Sequence, residues 1–206
     1  MAIVYAAELR PSKMELLAQW LPQQLWFHGG GSPLVRLGSF RFDDPAGEVG
    51  IETQLVGAGD RVYHVPLTYR GAPLEGAQEF LVGTMEHSVL GHRWVYDATG
   101  DPVYVAELAA ALLSGKPQAA QFRESGGKIE TLPETAQLSS TGMPETAVPT
   151  LEISAPTTVG GIVTIPVGAL ALYVLRELEL SGEVPATTAL SVTWAGQTTP
   201  VAIASL

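Results

Sequence analysis

Residues 87–108 read HSVLGHRWVYDATGDPVYVAEL, and the fold turns on how this stretch is parsed. Its last third carries the marks of a helix start. Asp101 is a good N-cap, because its carboxylate can accept from a free backbone NH of the first turn. Pro102 has no NH to lose and a fixed φ that suits the first helical position. Gly115 follows the last apolar residues, where a glycine commonly ends a helix. The spacing predicts a helix of about three turns between them, with Val103, Ala106, Leu108 and Leu112 docking on a sheet. The part before it, with Arg93-Trp94 and Tyr96-Asp97, reads as a joint. An ion pair from Arg70 or Arg93 to Asp97 is the expected latch that sets how the sheet meets the helix.

Upstream, AIVYAAEL reads as a strand, and a short amphipathic helix follows. Ser12 and Glu15 stand at the spacing of a capping box, each side chain satisfying the other's free NH. Met14, Leu17, Ala18 and Leu21 recur at helical intervals, and Pro22 marks the stop. After HGGGSP come LVRLGSFRFDD, EVGIETQLVG and RVYHVPLTYR, three partly alternating runs separated by turn residues. Gly57–Asp60, GAGD, is the expected hairpin turn, and EFLVGTMEH a further strand. Together they predict an antiparallel meander packed on the helix.

Beyond Gly115 the composition shifts. Residues 117–206 hold no Asp, no His and only three cationic residues, Arg123, Lys128 and Arg176. No helical period recurs there. Strands are expected near 119–124, 128–132, 148–154, 161–165, 170–177, 188–194 and 200–204, with ETAQLSSTGMPETAVP as a loop. The sequence therefore predicts an α+β first domain, residues 1–115, and a β-rich module, residues 116–206.

The 206 residues are enough to bury a sizeable core. The net charge of −10 opposes binding to nucleic acid, which needs a cationic surface to neutralise phosphates, and to anionic membranes. Without cysteine there is neither disulfide nor thiolate chemistry. The apolar stretch GGIVTIPVGALALYVL is interrupted by Pro166 and too short for a span, so it reads as two strands. The N-terminus shows no basic region followed by an apolar core. A cytoplasmic protein is the expectation.

The run YHVPLTYRGAPLEGAQEFLVGTMEHSVLGHRWVYDATGDPVYV, residues 63–105, resembles the N-terminal cap domain of actinobacterial maltokinases. The strand Y-x-V-P-L-T-Y-R, the A-P-L turn, L-V-G-T-x-E-H, R-W-V-Y-D and D-P-V stand in order. The resemblance covers roughly residues 1–115 and is weaker before residue 50. It implies a small α+β unit with a curved antiparallel sheet curled around a helix, likened to cystatins. It also implies a link to trehalose, maltose and α-glucan metabolism, and a cap that sits on and adjusts a kinase or partner enzyme. The kinase lobes themselves need a strand Lys for the phosphates, a catalytic Asp, and Asn and Asp for Mg²⁺. Here Lys128 is the last Lys, Asp101 the last Asp, and Asn does not occur.

Four kinds of site compete. Glu86, His87 and His92 cluster in sequence, with His28 and His64 elsewhere, but no HExxH places imidazoles on one face, so no metal is expected. Asp43, Asp44, Asp97 and Asp101 offer carboxylates, yet glycoside hydrolysis needs a pair roughly 5–10 Å apart across a cleft. Asp101 is better used as a cap and Asp43-Asp44 as a turn. No catalytic residue and no cofactor is expected. A ligand-binding face of His64, Tyr69, Arg70, Arg93, Trp94, Tyr96 and Asp97 would combine aromatic platforms with polar side chains, for maltose or trehalose. Against it, Tyr63, Val65, Leu67 and Tyr69 share one strand face and Trp94 can fill core. Trp26 and Phe27, beside the flexible Gly29–Gly31 loop, would anchor a partner, or else close the helix on the sheet. The leading expectation is a non-catalytic accessory or regulatory binding protein whose partner is a trehalose synthase, maltokinase or other glucan enzyme. A direct carbohydrate-binding module comes next, and a small glycan-acting enzyme last.

Overall fold

The computed structural model describes residues 2–3, 7–125, 128–144, 146, 148, 152–182 and 187–206. The chain is α+β and mostly β. In order its elements are β1 (Ala2–Ile3), β2 (Leu9–Arg10), α1 (Lys13–Trp20), β3 (Leu34–Asp43), β4 (Gly50–Ala58), β5 (Arg61–Arg70), β6 (Leu81–His87), β7 (Gly91–Asp97) and α2 (Pro102–Ser114). Then come β8 (Gln121–Ser125), β9 (Lys128–Thr131), β10 (Ala136–Ser140), β11 (Thr157–Val159), β12 (Ile162–Val167), β13 (Leu170–Leu175), β14 (Ala189–Trp194) and β15 (Gln197–Ser205).

The first sheet runs β2-β6-β7-β5-β4-β3, antiparallel throughout and strongly curled. The second runs β10-β14-β15-β13-β12-β11, also antiparallel. A small third sheet pairs β1 in parallel with β8, and β8 with β9.

Capping and periodicity explain the helices. In α1 the Ser12 side chain accepts from the Glu15 NH at 3.3 Å while Glu15 accepts from the Ser12 NH at 2.7 Å. The buried stripe is Leu16, Leu17 and Trp20, with Leu21 after it, whereas Ala18 is exposed. The apolar face is thus turned from the one the sequence suggests, because the large Trp20 claims the sheet. In α2 the Asp101 carboxylate accepts from the Val103 NH at 3.0 Å, Pro102 opens the helix, and Gly115 ends it at φ 68°. Tyr104, Val105, Leu108, Ala109, Ala111 and Leu112 are all buried while Ala106 is exposed. So much of the helix is covered because it packs against β3 of one sheet and β14 of the other.

Two clusters make the core. One joins α1 and Trp26 to Val56, Tyr63, Val65, Leu67 and Val95 on one face of the first sheet. The other joins Phe40, Phe42, Ile51 and Leu55 to α2 and to Val163, Ile165, Leu172, Val192 and Ile203 of the second sheet. Residues 51–58 and 62–68 are therefore buried along their whole length, on both faces. The Gly59-Asp60 turn closes β4 on β5 as expected, with Gly59 at φ 64°.

Several expected elements differ. Gly91–Asp97, expected as the joint between sheet and helix, is itself a strand of the first sheet. Ala136–Ser140, expected as loop, is the edge strand of the second sheet, where pairing with β14 overrides the weak β preference of Ala, Gln and Ser. Residues 149–151 of the strand expected at 148–154 lie outside the described residues, and Ile153 makes only an isolated bridge to Val167. Residues 4–6 of AIVYAAEL also lie outside them.

Candidate functional site

The first sheet and the N-terminal end of α1 enclose a cavity of about 420 Å³. At its base is Glu52, on β4 and only 3 % exposed. A lone carboxylate buried this deeply would be neutralised by burial. Here Lys13, the first residue of α1, forms an ion pair with Glu52 Oε2, and Arg41 Nη1 approaches the same oxygen at 3.5 Å. Burial pushes the Glu52 carboxyl up, but the charges of Lys13 and Arg41 outweigh it and hold the group below its ordinary range. The capping box thus has a use beyond the helix: it fixes the turn that delivers Lys13.

Tyr69 on β5 lies beside this pair, with the Lys13 ammonium 5.4 Å from its ring centre. Burial, reinforced by the negative charge of Glu52, raises the phenol well above its usual value, so it stays protonated. Among the described residues its hydroxyl has no hydrogen-bond partner, nor has Arg41 Nε or Arg93 Nε. Arg93 on β7 donates to the Leu90 carbonyl at 2.7 Å and lines the cavity with His87. Burial and the nearby Arg93 lower the His87 imidazole, which accepts from the NH groups of Val89 and Leu90. Asp43, Asp44 and Glu48 form the acidic part of the lining. Asp44 is held by its own turn, accepting from the NH groups of Ala46, Glu48 and Val49.

A second polar centre is closed to solvent. Arg176, 1 % exposed, pairs with Asp97 and donates to Thr99 Oγ1 at 3.1 Å. Its guanidinium sits 5.1 Å from the Trp26 ring. Beside it His64 is buried, its Nδ1 3.0 Å from the Leu175 carbonyl, which makes Nδ1 the protonated nitrogen. Burial first, and then the charge of Arg176, lower this imidazole to about 3.

The expected ligand face does not exist as one surface. Tyr69 stands opposite Val95 and Arg70 opposite Trp94, and successive residues of a strand point to opposite faces. Of the set, Tyr69 and Arg93 line the cavity. His64 and Asp97 meet around Arg176. Arg70 makes a two-pronged pair with Asp101 at 2.7 Å for each contact. Trp94 packs edge-on against His92, ring centres 4.5 Å apart, and the Tyr96 hydroxyl accepts from the Leu74 NH at 2.9 Å.

The latch exists with other partners: Arg70 grips the cap of α2, and Asp97 is taken by Arg176. Asp97 and Asp101, two of the candidate acids, are thereby both engaged. Trp26 is buried against Trp20 and Tyr63 and so offers no exposed anchor, and Phe27 packs on Tyr63 at 4.7 Å. Leu25 is the apolar side chain displayed at that corner, 99 % exposed. His92 pairs across the hairpin with Glu86 at 2.6 Å. Among the described residues no group of three or more His, Asp or Glu is placed to hold a metal ion.

Sequence reasoning passed over Lys13, Arg41, Glu52 and Arg176. The available signals were a Glu inside a strand that is otherwise uncharged, and a single Arg closing the apolar run LALYVL.

Residues 20–101 match the family model of the maltokinase N-terminal cap domain. That stretch is similar to a maltokinase N-terminal cap domain. No curated protein matches the chain. The match runs from the last residue of α1 to the N-cap of α2. The cap-like stretch therefore supplies Arg41, Glu52, Tyr69 and Arg93 of the cavity, while Lys13 precedes it. Asp97 also belongs to it, but its partner Arg176 does not. Among the described residues no helix is long and apolar enough to cross a membrane.

Proposed function

We propose that this chain is a non-catalytic accessory or regulatory binding protein of trehalose, maltose and α-glucan metabolism. Its partner is a trehalose synthase, a maltokinase or another glucan enzyme, and its place is the cytoplasm. The observation that carries the reading is the match of residues 20–101 to a maltokinase cap. It is joined here to a second sheet from a stretch with no Asp, and with Lys128 as its only Lys beyond residue 116. Phosphoryl transfer relies on such groups to hold phosphates and Mg²⁺. The corner at Leu25, beside Phe27 and a cavity lined by Gly29, Gly30 and Gly31, is a surface on which a partner can dock.

Capture of the tagged chain's partners from native lysate, read by mass spectrometry, tests the proposal. A glucan enzyme should be enriched, and Leu25→Asp should deplete it. A capture with no such enzyme overturns the reading.

A further inference from the structure

We propose that the cavity under the N-terminal end of α1 binds a small uncharged polyhydroxylated ligand, a carbohydrate in chemical class. Arg41, Arg93 and the Tyr69 hydroxyl donate to it, and Glu52 accepts. The inference goes beyond the docking reading and holds or fails on the isolated chain.

Three features carry it. The first is size: about 420 Å³ is within the range of small-molecule sites, roughly 300–1,000 Å³. The second is unmet hydrogen bonding. Buried polar groups in folded proteins nearly always have partners, and an exception calls for an explanation. Among the described residues such atoms occur at Thr53, Gln54, His64, Thr68 and Arg176, and three more, the Tyr69 hydroxyl, Arg41 Nε and Arg93 Nε, belong to residues that line the cavity. Among the described residues the ion pairs of Glu52 with Lys13 and Arg41 run through Oε2, and Oε1 is the oxygen offered to the ligand. The base thus offers unpaired donors and an acceptor together. A hydroxyl group, which donates and accepts at once, satisfies both.

The third feature is charge. Lys13, Arg41 and Arg93 face Glu52, Asp43, Asp44 and Glu48 around one cavity. A phosphate or carboxylate would meet the repulsion of those carboxylates, Glu52 among them. A cation would meet Lys13 and Arg41. An apolar ligand would strip water from charged groups without replacing their hydrogen bonds. A neutral polyol incurs none of these costs. The Lys13 ammonium lies over the Tyr69 ring, 5.4 Å from its centre, so a ligand on that ring face displaces one long, flexible side chain.

Calorimetric titration of the full-length chain with glucose, maltose and trehalose, each to about 10 mM, tests this beside inorganic phosphate. At least one sugar should bind and phosphate should not. Tyr69→Phe should weaken that sugar about tenfold or more while leaving the melting temperature of the free protein unchanged or higher, since the hydroxyl it removes has no partner among the described residues. Arg41→Lys, which keeps the charge beside Glu52, should weaken it too. Phosphate binding without sugar binding overturns the proposal, as does the absence of binding by every sugar. Sugar binding that neither variant affects places the site elsewhere and also overturns it.

Discussion

A buried ion pair stabilises a protein only when its geometry recovers what leaving water costs. Arg176 and Asp97 meet that condition in part. Asp97 also accepts from the Thr99 NH and hydroxyl, at 3.2 and 2.9 Å, but Arg176 Nε and Nη1 have no partner among the described residues. Asp97→Ala strands the guanidinium and should destabilise the fold by about 3–5 kcal/mol in urea unfolding. Adding Arg176→Met should recover most of that loss; a double variant no better than the single would show that Asp97 acts through Thr99 alone. The Asp half of this pair was legible in the sequence, and its partner was not, because the two lie far apart along the chain and nearer arginines competed for it. Protonation offers a second handle on the same centre. His64 is neutral in the fold, its imidazole lowered to about 3 from 6.5. Below pH 6.5 the unfolded chain takes up the proton and the folded one does not, so stability falls as pH drops from 6.5 toward 3. One such group gives a slope of at most about 1.4 kcal/mol per pH unit. His64→Asn, which keeps a donor where Nδ1 stood, should flatten that slope between pH 6.5 and 4.5. Glu52, held below its ordinary 4.5, adds stability that is present above pH 4.5 and lost only at lower pH, so it leaves the pH 6.5 to 4.5 part of the His64 slope untouched and overlaps it below.

At the scale of elements, local chemistry foretold what local chemistry controls. Both helix starts, the Gly115 stop and the GAGD hairpin follow from caps and turns within a few residues. Of the strands that escaped, β10 carries the β-indifferent Ala, Gln and Ser and exists because β14 pairs with it, and the three-residue β11 pairs with β12. By contrast, β7 holds the strand formers Trp94, Val95 and Tyr96 and was masked by the polar residues on either side of them. The contact between β3 and the turn before β10 was equally hidden. Thr135 Oγ1 accepts from the Ser39 NH at 2.9 Å and donates to the Ser39 carbonyl at 3.1 Å. That approach is possible because residue 38 is glycine; a Cβ there would stand 2.6 Å from the Thr135 carbonyl oxygen. Gly38→Ala should therefore cost about 1–3 kcal/mol by overpacking, measurable by thermal unfolding. Ser12→Ala should cost about 1 kcal/mol through loss of the cap. Because that cap also positions Lys13, the variant should loosen the Lys13–Glu52 pair, seen as an upward shift of the Glu52 carboxyl in NMR titration.

For the whole molecule, the question is whether the two large sheets unfold together. The segment after β13 hydrogen-bonds along β5: His64 NH donates to the Arg176 carbonyl and Leu178 NH to the Val62 carbonyl, each at 2.8 Å. This uses the stretch of β5 before its pairing with β7, which begins at Leu67. A backbone seam thus runs between the sheets, the Arg176–Asp97 pair lies beside it, and one apolar cluster extends from Phe40 through α2 to Ile203. Neither sheet can lose this cluster without exposing the apolar face of the other and of α2. Unfolding should then be a single cooperative event. Amide signals of Leu55 and Val65 in the first sheet, and of Val192 and Ile203 in the second, should vanish at the same urea concentration in NMR-monitored unfolding. Midpoints that separate would mean the seam is weaker than either sheet. Asp97→Ala should therefore move all four signals to lower urea in step, whereas a shift confined to the first sheet would show that the two sheets unfold separately.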